Sequence, residues 1–235
     1  MANINKAQET SGSNIGAGTT ITASLSNTVA GSTLAGFIYS SNTVTVSSIS
    51  DSQGNTYTIG TSIDNTTSGT RLTPYYANNI VGGASANTVT VTYSGSVSNR
   101  FMSLAEIRQV QTNPLDGVKT RFQSSPGTST DAATTQSDAG STNANQPALV
   151  YSICCVANSA TTVTAGTGFN QGLQLTPAFS GLCVATEDKR VTATAAQAAT
   201  YTLSANNNAL MALMVFDELP SGGYGLSQIS NQGGF

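Results

Sequence analysis

Large apolar residues in this chain recur at every second position or in short unbroken runs, and nowhere at the three-to-four spacing of a helix. Thr19-Thr20-Ile21-Thr22-Ala23-Ser24-Leu25 alternates, and Thr88-Val89-Thr90-Val91-Thr92-Tyr93 does so most clearly. Alternation marks a strand with one face in a core and the other in water. Residues 34–39 read as a more continuous apolar strand, and the near-continuous apolar run 148–156 predicts a strand buried on both faces, or on one face plus an interface. Further strands are expected within 43–46, 71–80, 101–110, 173–179, 182–186, 191–194, 200–203 and 210–216. In residues 101–110, Met102, Leu104 and Glu106 share one parity, and Phe101, Ala105 and Ile107 the other. Residues 49–59 read as strand, tight turn, strand, with Gly54-Asn55 supplying the positive φ. Residues 193–199 form a helical turn at most.

The pattern divides the chain. Residues 1–18 are polar and rich in Gly and Ser, and read as an N-terminal arm. Residues 19–219 read as a β-sandwich, and residues 220–235 as a C-terminal arm. Residues 124–147 are poor in large apolar groups and read mostly as a long surface connection. The two segments beside it, about 19–123 and 147–219, echo each other at a spacing of about 110 residues. Leu34-Ala35-Gly36-Phe37-Ile38-Tyr39 matches Leu149-Val150-Tyr151-Ser152-Ile153-Cys154. Residues 86–91 match 198–203, and residues 101–105 match 210–214, in the same order. Two such halves are expected to interleave as one two-sheet antiparallel sandwich of jelly-roll type.

Composition says what the surface is for. Only 8% of residues are charged, against about a quarter in ordinary soluble domains. A surface of Ser, Thr, Asn and Gly has little charge to hold copies of itself apart. The eight basic residues are scattered, so no phosphate-backbone stripe exists and nucleic acid is not expected as a partner. Residues 1–6 lack the apolar core of a signal peptide, and no apolar run approaches the roughly 20 residues of a membrane span. The expected route is synthesis in a cytoplasm, with no membrane partner.

Candidate chemistry is sparse. The chain has no histidine, which removes Ser-His and Cys-His nucleophile systems and histidine metal sites. Cys154, Cys155 and Cys183 are too few for a four-thiolate zinc site and read as small buried hydrophobes; a bridge from Cys183 to either neighbour is not required. Paired carboxylates remain as Glu106 with Asp116, Glu187 with Asp188, and Asp217 with Glu218. Glu187-Asp188-Lys189-Arg190 reads as a solvated hairpin tip, and Asp217-Glu218 as a strand end before Pro220. Asp51-Ser52-Gln53-Gly54-Asn55 has one acid where a calcium loop clusters several, and reads as an Asx-type turn. Tyr57, Tyr75 and Tyr76 sit in strand patterns and read as core more than as sugar platforms. No catalytic, cofactor or metal site is expected. The residues singled out for assembly are apolar side chains in the arms: Ile4 and Ile15 at one end, and Tyr224, Leu226, Ile229 and Phe235 at the other.

Residues 46–57, then Tyr75-Tyr76-Ala77-Asn78-Asn79-Ile80, then residues 87–94 and Leu104-Ala105-Glu106-Ile107, resemble a β-sandwich module. Such modules, concanavalin-like or jelly-roll-like, occur in phage virion proteins and in bacterial surface or secreted proteins. The resemblance covers roughly residues 19–218, and it departs from the module in its few aromatics and short polar arms. It implies display, adhesion or assembly and carries over no catalytic residue. Together with the free cysteines and the absent signal, it leads to the expectation of a virion structural protein. That protein would be a capsid decoration or cement protein or a head fibre, a homo-oligomer (a trimer among the options) contacting itself and a major capsid protein. The alternative is a carbohydrate- or receptor-binding module of a tail fibre or bacterial surface protein.

Overall fold

A computed structural model describes residues 3–123, 134–137, 141–142, 147–158, 160–179, 181–193 and 195–220. All regular structure there is β, in antiparallel sheets. The first half holds β1 (Asn5–Asn14), β2 (Gly18–Leu25), β3 (Thr33–Ser41), β4 (Val46–Asp51), β5 (Thr58–Ile59), β6 (Ile63–Asn65), β7 (Thr70–Ala77), β8 (Asn87–Val97) and β9 (Arg100–Arg108). The second holds β10 (Val110–Gln123), β11 (Thr134–Ser137), β12 (Ser141–Thr142), β13 (Ala148–Val156), β14 (Val163–Ala165), β15 (Asn170–Phe179), β16 (Leu182–Val191), β17 (Ala196–Gln197), β18 (Thr200–Leu203) and β19 (Ala209–Glu218).

An antiparallel β-sandwich is therefore what the alternating sequence builds. Its layering goes further than two interleaved keys. The first half closes a large sheet, β1-β9-β3-β7-β5 with β6 also on β7, over a small one, β2-β8-β4. The second half repeats the arrangement, β10-β19-β13-β16-β15 over β11-β18-β14. The two large sheets then pack face to face, so the molecule has four layers and three cores. The shared central core contains Phe37, Tyr39, Phe101, Tyr151, Leu210 and Phe216, with the Phe37 and Tyr151 ring centroids 5.1 Å apart. The first half's own core holds Leu34, Ile38, Val89, Val91 and Met102; the second half's holds Val150, Cys154, Tyr201, Leu203 and Met211. Only Gln109, at φ 63, separates β9 from β10, so the chain steps from one large sheet to the other without a linker.

The internal echo is a structural repeat, with one correction. Residues 101–105 and 210–214 place the same parity on the shared core, and residues 86–91 match 198–203 with Val89 and Tyr201, and Val91 and Leu203, in their own halves' cores. The match of Leu34 with Leu149 is one residue off. Leu34 faces the first half's own core, whereas Leu149 faces the shared one. Through its pairing with β9, Leu34 corresponds to Val150. A side-chain period of two makes a one-residue slip invert every side chain.

Four other expectations change. Residues 3–18 are not an arm: β1 pairs with β9 along its length, and Ile4 lies in the shared core at 2% exposure. Ile4 is thus unavailable to a neighbouring molecule, while Ile15 is 63% exposed. Tyr224, Leu226, Ile229 and Phe235 lie outside the described residues. Residues 49–59 do not form a hairpin, because β4 pairs in the small sheet and β5 in the large one; the turn changes layers. Residues 193–199 carry β17, not a helical turn.

Candidate functional site

The carboxylates that the sequence offers as pairs are separated by the pleat. Asp116 is the extra residue of a bulge in β10 of the second half, while Glu106 lies on β9 of the first, on the parity of Met102 and Leu104. Glu187 and Asp188 are neighbours in β16, not a hairpin tip, so they point to opposite faces of the sheet. Both are buried. Glu218 closes β19, as expected of a strand end, and receives Arg190 Nε at 2.7 Å and Nη2 at 3.1 Å.

Glu106 is wholly inaccessible and built into the first half. Oε1 accepts from the Val29 amide at 2.6 Å and Ser32 Oγ at 3.0 Å; Oε2 accepts from Gln8 Nε2 and Arg108 Nη2, both at 2.7 Å. Burial works against its charge, but Arg108, Gln8, Val29 and Ser32 together outweigh it and hold the carboxyl below its ordinary range. A lowered folded-state pKa means that the stabilisation is present above the unfolded value and is lost as pH falls through the folded one. Glu106→Gln should therefore cost about 2 kcal/mol near pH 7, the scale of charge-assisted hydrogen bonds. The gap from wild type should narrow as pH falls below about 4. Urea denaturation from pH 3.5 to 7 measures it; a pH-independent gap contradicts an ionised Glu106.

A second network ties β1 to the other half. Lys6 Nζ lies 2.6 Å from Glu9 Oε2 and 2.9 Å from Asp188 Oδ1, and 5.7 Å from the centre of the Tyr151 ring. Glu9 Oε1 accepts from Tyr151 OH at 2.8 Å and Thr186 Oγ1 at 2.7 Å. Burial pulls the Lys6 ammonium down, yet Glu9 and Asp188 prevail and raise its pKa. Gly172 gives the network its room, since a Cβ there would collide with Lys6, Glu9 and Thr186 side-chain atoms. The sequence hid this cluster because β1 and the strands of the second half that complete it are far apart in the chain.

Glu187 points the other way, into the second half's own core. The repeat explains its place. Gly36 pairs with Tyr75, and the corresponding Ser152 pairs with Glu187. Tyr75 OH donates to Ser103 O at 2.7 Å, and Ser152 Oγ makes the equivalent bond to Ala212 O at 2.9 Å. A Cβ on Gly36 would strike Ser103 O and Tyr75 OH, so the first half needs glycine where the second has serine. The second half has the smaller Glu187 where the first has Tyr75, and Tyr201 on β18 occupies its core. Burial pushes the Glu187 carboxyl up to about 7, against the Gly166 and Thr200 backbone groups that favour its charge. Oε2 accepts from Gly166 N at 2.8 Å, and Oε1 has no hydrogen-bond partner among the described residues.

The remaining predicted positions are structural. Asp51 Oδ1 caps the turn through Gln53 N at 3.1 Å and Asn55 N at 2.9 Å; Oδ2 accepts from Asn55, Tyr57 and Asn87. Tyr75 lies in the first half's own core with Tyr57 half-buried against it, and Tyr76 is half-buried against the shared core. Cys154, Cys155 and Cys183 are buried and joined by no disulfide; the first two lie on opposite faces of β13, and Cys183 Sγ donates to Asn158 O at 3.1 Å. Among the described residues no three Cys, Asp or Glu side chains converge as metal ligands.

One concave feature stands apart. Where the two halves meet, a groove of about 580 Å³ opens between the ends of β3 and β13, the turns before β7 and β16, and the β8–β9 turn. Tyr39 and Leu182 contribute apolar surface; Ser41, Thr70, Ser98, Asn99 and Asn158 line it with hydroxyls and amides. A smaller recess of about 220 Å³ adjoins it through Ser68 and Ala157 and reaches Asn206, Asn207 and Asn208. Neither is lined by a charged residue. Sequence patterning missed the groove because it assembles from loops of both halves.

The fold and these sites define the class: an antiparallel β-sandwich protein built from two copies of one topology. Comparison with protein-family models, curated proteins and solved structures finds no match to the chain.

Proposed function

We propose that this protein is a virion structural protein, a capsid decoration or cement protein or a head fibre, that works as a homo-oligomer through contacts between subunits and with a capsid lattice. The observation that carries this reading is the outer face of the β2-β8-β4 sheet. Across its register run two rows, Thr20–Thr92–Ser48 and Thr22–Thr90–Ser50, all neutral and none buried. A third pair, Ser24 and Thr88, is joined by a hydrogen bond of 2.8 Å. Such a face has no ion to desolvate when another protein covers it. Of the carboxylates singled out in sequence, Glu106, Glu187, Asp188 and Glu218 serve the fold.

The test is sedimentation of the intact chain, of a Thr22→Lys/Thr90→Lys variant, and of a chain ending at Pro220, each alone and with capsids. The expected result is an oligomer that binds particles and is weakened by the lysines, with the melting temperature of the fold retained. Loss on truncation assigns part of the contact to Tyr224, Leu226, Ile229 and Phe235. A monomer that binds no particle overturns the proposal. The second reading, a carbohydrate- or receptor-binding module, draws on the neutral groove.

A further inference from the structure

We infer that the groove between the two halves is a binding site for an uncharged oligosaccharide. The inference rests on the carbohydrate-binding reading and gives it a place, and it is independent of the assembly role.

Size is the first consideration. The main groove, about 580 Å³, falls within the range of small-ligand sites, and the adjoining recess of about 220 Å³ makes it elongated. That shape suits a chain of two or three sugar rings better than a compact metabolite. Position is the second. Corresponding parts of the two halves, the ends of β3 and β13 and the turns before β7 and β16, converge at the same end of the molecule. Clefts between packed units are preferred ligand sites because they are concave without loss of core.

Chemistry selects the ligand. Hydroxyls and carboxamides line the groove, and each is both donor and acceptor. Vicinal sugar hydroxyls need that mixture. A phosphate or carboxylate would enter without a counter-charge, and a cationic ligand without an acid, and either would lose its hydration uncompensated. Two of the polar groups are uncommitted: the exposed Ser98 and Asn99 side chains hydrogen-bond to nothing among the described residues. Asn158 is held in place, its Nδ2 donating to Asn207 Oδ1 at 2.9 Å and its Oδ1 accepting from Ala160 N at 2.9 Å. The groove thus combines a fixed wall with a free one.

The experiment is an NMR titration of the full chain with maltotriose, cellotriose, mannotriose and tri-N-acetylchitotriose, each to about 10 mM, alongside sialyllactose as a charged probe. The expected result is saturable shifts at groove residues with at least one neutral trisaccharide and none with sialyllactose. Asn99→Gly keeps the left-handed turn, φ 56, while removing the amide, and Ser98→Ala removes the hydroxyl. Together they should weaken binding at least tenfold, with the melting temperature unchanged. No neutral sugar bound, binding that shifts residues elsewhere, binding indifferent to the double substitution, or equal binding of sialyllactose each overturns the inference. A protein that assembles normally yet binds no sugar leaves the assembly proposal standing, and so separates the two failures.

Discussion

Removing residues 1–14 should abolish cooperative folding. Residues 5–14 are β1, whose backbone completes the first large sheet along β9. Ile4 takes a place in the shared core, and burial of such a side chain is worth about 1.5–3 kcal/mol. Lys6 and Glu9 leave with it, which strands Tyr151, Thr186 and Asp188 at a seam shaped to receive them. Breaking one side of a buried charged network costs about 3–5 kcal/mol. Together these losses, about 5–8 kcal/mol, reach the lower part of the stability of an ordinary domain, about 5–15 kcal/mol. Two substitutions separate a strand from an arm. Ile4→Ala should cost about 2–4 kcal/mol, whereas Ile15→Ser, at a 63% exposed position, should stay within about 0.5 kcal/mol. Thermal and urea denaturation measure all three. A truncated protein with the wild-type melting temperature would show that β1 contributes nothing.

Glu187 should make the protein less stable as pH rises from acid to neutral. Its carboxyl is pushed up to about 7 in the fold, above its ordinary 4.5. A raised folded-state pKa contributes stability that is complete below the unfolded value and disappears as pH climbs through the folded one. The loss therefore develops between about pH 4.5 and 7 and is complete by about pH 8. At about 1.4 kcal/mol per unit, less a discount for solvent screening, it comes to about 2 kcal/mol. Glu187→Gln removes the titration and keeps an acceptor for Gly166 N. The stability of the variant relative to wild type should rise by about 2 kcal/mol between pH 5 and pH 8. A difference that does not change with pH would show that Glu187 is ionised throughout. Glu106 acts with the opposite sign at the acid end, so stability should peak between the two ranges.

Both effects concern charged or polar residues, and these are where sequence and structure part company. The apolar pattern is legible because it records how many faces of a strand are covered. Alternation in residues 19–25 and 88–93 marks the outer layers, and the continuous runs at 34–39 and 148–156 mark the strands between two cores. The repeat is legible for the same reason, although the absolute parity of Leu34 against Leu149 is not. Both lie in unbroken apolar runs, where a shift of one residue leaves the pattern intact.

By itself, then, the sequence determined the all-β class, the apolar strands such as 19–25, 88–93, 148–156 and 210–216, the division into two like halves and the Asx turn at Asp51, but neither β1 nor β10 beyond Val110. The tertiary structure alone decided that the halves pack as four layers, that residues 5–14 form a strand, and that Glu187 is buried. The physical reason is locality. Hydrophobic period and turn chemistry act between neighbours in the chain. Lys6 and Glu9 are compensated by Tyr151, Thr186 and Asp188, and the groove is walled by Asn99 and Asn158, only after the two large sheets have met.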